Sequence, residues 1–250
     1  MRQVPASHSF LLVGDGRLAR HLTHYFAFEG ITFQTWKRAN GTDDLALKSK
    51  SVTHVLLAIS DSSLVNFIEE NARALEDKVV VHFSGALVHP TVPSAHPLMT
   101  FGPDLYEPST YRRIAFITEK GRGGISTLIP GLKNSAYEIS SDLKPMYHAL
   151  CVMSGNFTIM LWEKAFKEFE TLGLPSFALL PYLERTAVNL MANAGGKSVL
   201  TGPLARGDNA TIEKNIAALA GDPFQKVYLA FNEAVTRQDV NSATSVADGD

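Results

Sequence analysis

His96, His148 and Asn156 are the side chains of this 250-residue sequence best suited to handling a proton at a reacting carbonyl or imine. Hydride delivery to such a group builds negative charge on its heteroatom, and a positioned donor must protonate or polarise it. Histidine is the natural donor near neutral pH, and an asparagine amide can hold the same oxygen. His148 and Asn156 lie eight residues apart, about 80° around an α-helix, so both can face one cavity. His96 opens HPLMTF, read as a proline-flanked loop soon after the strand that ends at Gly85. A plainer reading stands beside each. His148 shares a stripe with Val152, Gly155 and Ile159, as a half-buried core histidine would, and Asn156 could make an inter-helix hydrogen bond. His82 lies inside a strand pattern and reads as packed. The other histidines lack ligand spacing, and Cys151, the single cysteine, has no C-x-x-C partner and no partner for an internal disulfide, so no metal site is expected.

A second constellation is FLLVGDGRLARHL, where Gly14, Gly16 and Ala19 stand in G-x-G-x-x-A register between a strand and a helix. Gly14 allows the tight turn, Gly16 removes the side chain where a diphosphate would approach, and Ala19 lets helix and strand pack closely. Asp15, Arg17 and Leu18 complete the turn, with the helix N-terminus facing the phosphates. Sites for the unphosphorylated dinucleotide carry an acidic residue about 20 positions on. Here Trp36, Lys37 and Arg38 follow the second strand instead, which favours NADP(H): Arg38 as the likelier fork for a 2′-phosphate, Lys37 beside it, and Trp36 as a platform for adenine. The bland alternative is a solvated strand end. Ala58, Ile59 and Ser60, with Ser84 and Gly85, close later strands and should line the same crevice, Gly85 permitting close approach of nicotinamide or substrate.

In the second half, the long loop GGKSVLTGPLARGD stands between helices. Thr201 and Gly202 begin a turn with Pro203, Arg206 offers a fork for a carboxylate, and Asp208 either holds Arg206 or caps the helix beginning at Asn209, capping being the better fit.

The elements that must position these groups follow from periodicity. Short apolar runs at Phe10 to Val13, Ile31 to Trp36, Val55 to Ile59, Val79 to Phe83, Ile114 to Thr118 and Ala136 to Ile139 alternate with helical stretches in the first half, the pattern of a parallel sheet built from βαβ units. Beyond the polar break SSDLKP no strand period returns. A helix of about 27 residues is expected from Pro145 to Thr171 with Gly155 as its soft point, then helices from Ser176 to about Asn193, Asn209 to Leu219 and Pro223 to about Val235. The fold class is α/β, a Rossmann-type parallel-sheet domain over 1–143 followed by an all-α domain over 144–238, with a flexible tail over 239–250. Hydrophobic residues at 45% and charged ones at 19% suit a packed globular chain, and a net charge of −2 argues against nucleic acid. With no apolar run of membrane-spanning length and no signal-peptide core, a cytoplasmic protein is expected.

Together, GDGRLA, SAHPLMTF, YHALCVMSGNF and LTGPLARGD resemble a bacterial family that joins a Rossmann-like domain to a helical domain of unknown function. That family is similar in architecture to pyrroline-5-carboxylate reductases, ketopantoate reductases and the C-terminal part of 6-phosphogluconate dehydrogenases. The resemblance implies a cofactor cleft between domains and a homodimer through the helical half. The helix lysine that ketopantoate reductases use as an acid has no counterpart between Lys144 and Lys164, so His148 and Asn156 take that place by motif position. The expected activity is an NADP-dependent reduction of a small keto or imino acid; the alternative is a non-catalytic dinucleotide-binding sensor.

Overall fold

The computed structural model describes residues 8–194 and 198–247, with residues 237–247 described by backbone alone. Its contacts divide the chain into two units between Lys164 and Ala165.

The first unit is built on β1 (Phe10–Val13), which is buried on both faces. It pairs in parallel with β2 (Phe33–Trp36) on one side, Phe10 opposite Phe33, and with β3 (His54–Leu57) on the other, Val13 opposite Leu57. Strand β4 (Val79–His82) continues the sheet beyond β3, in the order β2-β1-β3-β4. Burial of β1 and β3 on both faces explains why they read as nearly continuous apolar runs. Period-two alternation divides their side chains between two cores. Phe10, Leu12, Leu56 and Val81 join one, and Leu11, Val13, Val55, Leu57 and Val80 the other.

Helices cover the sheet. They are α1 (Arg17–Phe28), α2 (Thr42–Ser49), α3 (Asp61–Glu70) and the short α4 (Ala72–Leu75). The apolar stripe Ala19, Leu22, Tyr25 and Phe26 buries one face of α1. The chain leaves β1 toward β2 on one side and takes up β3 on the other, so β1 and β3 flank the topological switch point where parallel sheets form their crevice.

A second sheet holds β5 (Ala95–Leu98), β6 (Ala115–Glu119) and β7 (Ala136–Ile139), with α5 (Pro108–Arg112) and α6 (Ile125–Leu128) between its strands. A parallel bridge from His82 to Ser94 links the two sheets. His96 therefore stands on a strand, opposite Ile117 of the antiparallel neighbour, and not in a loop. The strand escapes pattern reading because AHPL holds no β-branched residue and one proline, which an edge strand tolerates.

The long helix is present, in three consecutive parts: α7 (Lys144–Cys151), a π-helical segment over Val152–Phe157, and α8 (Thr158–Thr171). The wide turn falls at the expected soft point, Gly155. Its first residue belongs to the α/β unit, contrary to a boundary after 143. Lys144 is only 2% exposed, and its ammonium donates to Leu87 O at 2.5 Å, Ser94 Oγ at 2.6 Å and Glu119 Oε1 at 3.3 Å.

The helical unit continues through α9 (Leu180–Ala192), α10 (Pro203–Arg206), α11 (Asn209–Ala218) and α12 (Phe224–Ala247). Asn215 donates to Tyr228 Oη at 3.0 Å and Gln225 to Ile216 O at 2.8 Å, tying α11 to α12. Helix α12 runs past the expected end near Val235, through the segment read as a tail. That segment is polar but has no glycine or proline before Gly249, and nothing in it forces a stop. Residues 248–250 of the expected tail, and 195–197 of the expected loop, lie outside the described residues.

Candidate functional site

The glycine turn is built by β1 and α1. Gly14 has φ +130°, and a Cβ there would lie 2.3 Å from Ala58 O at the end of β3, so no side chain fits. Its amide donates to Trp36 O at 2.8 Å, and Ala58 N donates to Val13 O at 2.8 Å, which packs the three strand ends together. Gly16 is the residue before α1 and makes no side-chain cap; a Cβ there would meet nothing within 4 Å. The first amides of α1 are thus left without a capping side chain, and its first turn carries no acidic residue. Both features favour an anion. Ala19 is 2% exposed and packs in the same core as Ala58.

A cavity of about 370 Å³ lies over this turn, lined by Gly14, Asp15, Gly16, Arg38, Ala58, Ile59 and Ser60. The structure separates the two cations. Arg38 lines that cavity, whereas Lys37 lines a neighbouring one of about 660 Å³ with Asp15, Arg20 and Lys48. Trp36 forms a wall of both but is 7% exposed, tilted on Phe67, with its indole N–H given to Gly41 O at 3.0 Å. Its ring packs in the core beneath the two cavities. Arg17 is turned toward Phe101, donating to its carbonyl oxygen at 3.3 Å, and Leu18 packs against the core.

The turn after β4 leaves the sheet at the same edge. Ser84 Oγ donates to Asp61 Oδ2 at 2.6 Å and accepts from the amides of Leu87 and Ala86, so the first residue of α3 fixes this turn. Gly85, which follows, is enclosed by imidazoles. A Cβ there would lie 2.6 Å from His148 Cδ2 and 3.0 Å from His96 Nε2. The missing side chain makes room for two histidines, which corrects its reading as a gap for a ligand.

His96 and His148 come together, with ring centroids 6.1 Å apart and planes at 79°. His96 Nδ1 lies 2.6 Å from Tyr147 Oη. Burial, reinforced by the neighbouring His148 and Lys144, lowers the His96 pKa to about 4. Burial also raises the Tyr147 phenol, as does its hydrogen bond with Cys151. Tyr147 is the His96 partner that pattern reading passed over; the available signal was its position one residue before His148 in the YH pair. Asn156 is exposed in the π-helical segment. The 80° relation to His148 assumed regular α-geometry, which that segment breaks, and no hydrogen bond joins Asn156 to the histidine pair among the described residues.

Behind the pair lies a buried ionic network. Burial would raise the Glu119 carboxyl, but hydrogen bonds from Ser141, Ser94 and Arg122, with the Lys144 charge, hold it at about 2. Burial lowers Lys144, and Glu119 opposes this. His82 is wholly buried, its Nε2 has no hydrogen-bond partner among the described residues, and burial with the Lys144 charge lowers its pKa to about 3, so it is packed and uncharged.

Thr201, Gly202, Arg206 and Asp208 all belong to the helical unit. Gly202 has φ +87° and precedes α10, Arg206 is exposed at its end, and Thr201 is exposed before the turn. Asp208 caps α11, accepting from Thr211 N at 3.1 Å and Thr211 Oγ1 at 2.8 Å, and these bonds lower its pKa. Among the described residues no group of three or more His, Cys, Asp or Glu could hold a metal ion, and no helix is long and apolar enough to cross a membrane.

The fold and the glycine turn define a Rossmann-like protein with a helical C-terminal half. Residues 115–235 match the family described as a domain of unknown function, DUF2520. A Bacteroides fragilis protein provisionally called an NADP oxidoreductase is similar over 92% of this chain and 98% of its own, with 22% identity and a TM-score of 0.71. A reductive aminase of Aspergillus terreus, solved with NADPH and ethyl levulinate, is 16% identical over 98% and 95% of the two chains, with a TM-score of 0.58. A pyrroline-5-carboxylate reductase of Coxiella burnetii is 15% identical over 93% and 97%, with a TM-score of 0.53. None of the curated proteins compared with the chain matches it significantly.

Proposed function

We propose that this chain is an NADP-dependent reductase acting on a small keto or imino acid. The observation that carries the reading is the glycine turn: a side chain at Gly14 would strike Ala58, and one at Gly16 would project into open space at the head of α1. Those residues fit a diphosphate, received by the uncapped amides that begin α1. Arg38, in the same cavity, would take the 2′-phosphate, with Lys37 nearby, and Ala58, Ile59 and Ser60 would line the crevice. When bound, the coenzyme supplies the hydride. His96 and His148, meeting beside Gly85, serve the substrate's heteroatom, one by hydrogen bonding and the other by supplying the proton. Similar solved structures named as an NADP oxidoreductase, a reductive aminase with NADPH bound and a pyrroline-5-carboxylate reductase support this reading. Polar rather than apolar side chains converge at Gly85, which favours catalysis over a non-catalytic sensor.

Titration of NADPH fluorescence tests it. Wild type should bind NADPH more tightly than NADH, and Arg38→Ala should weaken NADPH binding about tenfold, as expected for losing a charge-assisted pair of roughly 1.4 kcal/mol. Equal affinity of variant and wild type removes the phosphate assignment. A screen of 2-keto acids, ketopantoate included, and of cyclic imino acids, with NADPH oxidation as readout, then identifies the substrate.

We also propose a homodimer. Met146, Leu150, Met153, Phe157 and Met160 of the long helix are apolar and each between 48% and 64% exposed. They form the exposed seam proposed to be covered by a second copy of the chain.

A further inference from the structure

We infer that Tyr147 is a positioning residue that fixes the His96 ring in the tautomer with its proton on Nε2, making His96 a hydrogen-bond donor to the substrate's heteroatom. The inference rests on the reductase reading for its catalytic meaning, but not for its geometry.

Three elements meet at this point. His96 comes from β5, Tyr147 from α7, and Gly85 from the turn after β4. The ring is engaged at Nδ1 alone, by Tyr147 Oη at 2.6 Å; among the described residues Nε2 has no protein partner. Nε2 instead lies 3.0 Å from the point a Gly85 Cβ would occupy. One face of the imidazole is therefore held by the protein, and the other nitrogen stands beside a backbone stripped of its side chain.

Two arrangements of protons satisfy the short contact. The phenol can donate to Nδ1, leaving the ring proton on Nε2, or Nδ1–H can donate to the phenol oxygen, whose own proton then passes to the Cys151 sulfur. The chemistry of the acceptors chooses between them. An imidazole nitrogen is a strong acceptor and a thiol sulfur a weak one, so the phenol proton goes to Nδ1 and the thiol adds only a weak contact. Tyr147 keeps its proton, because burial disfavours the phenolate. His96 carries no charge near neutral pH, so a single ring proton remains and Nδ1 cannot also hold one. The role of Tyr147 is thus that of the outer partner that sets which imidazole nitrogen is protonated. An uncharged imidazole of this kind stabilises developing negative charge by hydrogen bonding, and His148 is then left as the source of the transferred proton.

Long-range proton–nitrogen correlation NMR on protein labelled with ¹⁵N-histidine tests this without coenzyme or substrate. His96 is assigned by loss of its signals in His96→Gln. At neutral pH wild type should show a pyrrole-type Nε2 and a pyridine-type Nδ1 for His96; the reverse pattern overturns the proposal. Tyr147→Phe, which keeps the ring and loses only the hydroxyl, should give a mixture of tautomers. Cys151→Ala should keep the wild-type pattern. If Cys151→Ala shifts the tautomer, the proton runs to sulfur and the proposal fails. Should the variant at Tyr147 lose its fold by circular dichroism, the wild-type and Cys151→Ala spectra still decide. In an active enzyme, Tyr147→Phe should lower kcat about tenfold with a smaller change in KM. The expected spectrum from a protein that turns over no keto or imino acid would count against the reductase reading alone, whereas a reversed tautomer in an active enzyme would count against this inference alone.

Discussion

Gly14 and Ala58 touch so closely that a single methyl group on the former would sit 2.3 Å from the carbonyl oxygen of the latter. The contact joins the ends of β1 and β3 across the switch point and shapes the floor of the crevice. Gly14→Ala should therefore damage the fold itself, since it adds a backbone clash to a φ of +130° that alanine rarely adopts. We expect a loss of about 2 kcal/mol or more, a fall in Tm of roughly 4–8 °C for a chain of this size. Gly16→Ala meets nothing within 4 Å and should leave Tm unchanged to within the roughly 0.5 kcal/mol typical of harmless surface substitutions. Its effect should appear in NADPH titration as weakened binding. Thermal unfolding and titration of the two variants side by side separate a turn that shapes the fold from one that receives phosphate.

Acid should destabilise the protein earlier than carboxylate chemistry alone would make it. His82 and His96 have folded pKa values of about 3 and about 4, below the ordinary 6.5, because burial disfavours their charged forms. In the unfolded chain both take up protons below about pH 6.5, while the folded protein does not until much lower pH. The unfolded state then binds more protons, so stability falls as pH drops through that window, by up to about 1.4 kcal/mol per pH unit for each histidine. Glu119 acts further down: its contribution is present above the ordinary carboxylate pKa and is lost toward pH 2. Urea unfolding between pH 7.5 and 4 should show a falling midpoint, and His82→Gln should show a shallower decline. An unchanged slope in His82→Gln would mean that this histidine is not the group being titrated.

Much of the α/β half was legible because short strand-forming runs alternate there with helical stretches. Phe10–Val13 and Ala136–Ile139 have the bounds that their runs of strand-forming residues suggest, and G-x-G-x-x-A marks the turn after β1. What stayed hidden depends on contacts between distant residues. Strand β5 has no strand-like composition and exists because β6 supplies its hydrogen-bond partners. The pairing of His96 with Tyr147 spans 51 positions and leaves no local trace. Gly85 was recognisable as a place where a side chain could not fit, but only the fold shows that two imidazoles occupy the space. The helix angle relating His148 to Asn156 failed for a local reason, the π-helical segment between them.

Lys144 holds the start of the long helix against the α/β unit through an ion pair with Glu119, both side chains being at most 3% exposed. Removing one member of a buried pair leaves the other uncompensated, at a cost of about 3–5 kcal/mol. Arg122, at 2.8 Å from Glu119 Oε2, offsets part of that cost for the carboxylate, so Lys144→Met should cost about 3 kcal/mol. Glu119→Gln leaves Lys144 with Ser94 and Leu87 as acceptors and should cost a similar amount. The double variant should be less unstable than the two losses added together, and a double-mutant cycle by urea unfolding measures the difference. Strict additivity would mean that the 3.3 Å contact contributes nothing of its own.

The exposed seam along the long helix should govern self-association. Leu150, Met153 and Phe157 expose about half of their surface each, and solvated apolar side chains gain by burial against a second copy. Wild type should sediment as a dimer at micromolar concentration. A charge placed at the middle of the seam would have to be buried without a partner, so Met153→Glu should weaken the dimer by several kcal/mol and shift the population to monomer. Because Met153 is 56% exposed in the single chain, the same substitution should leave the fold of the monomer intact, with an unchanged circular dichroism spectrum. Analytical ultracentrifugation across a dilution series checks both statements. A wild type that stays monomeric at high concentration removes the dimer, and a Met153→Glu variant that stays dimeric places the interface elsewhere.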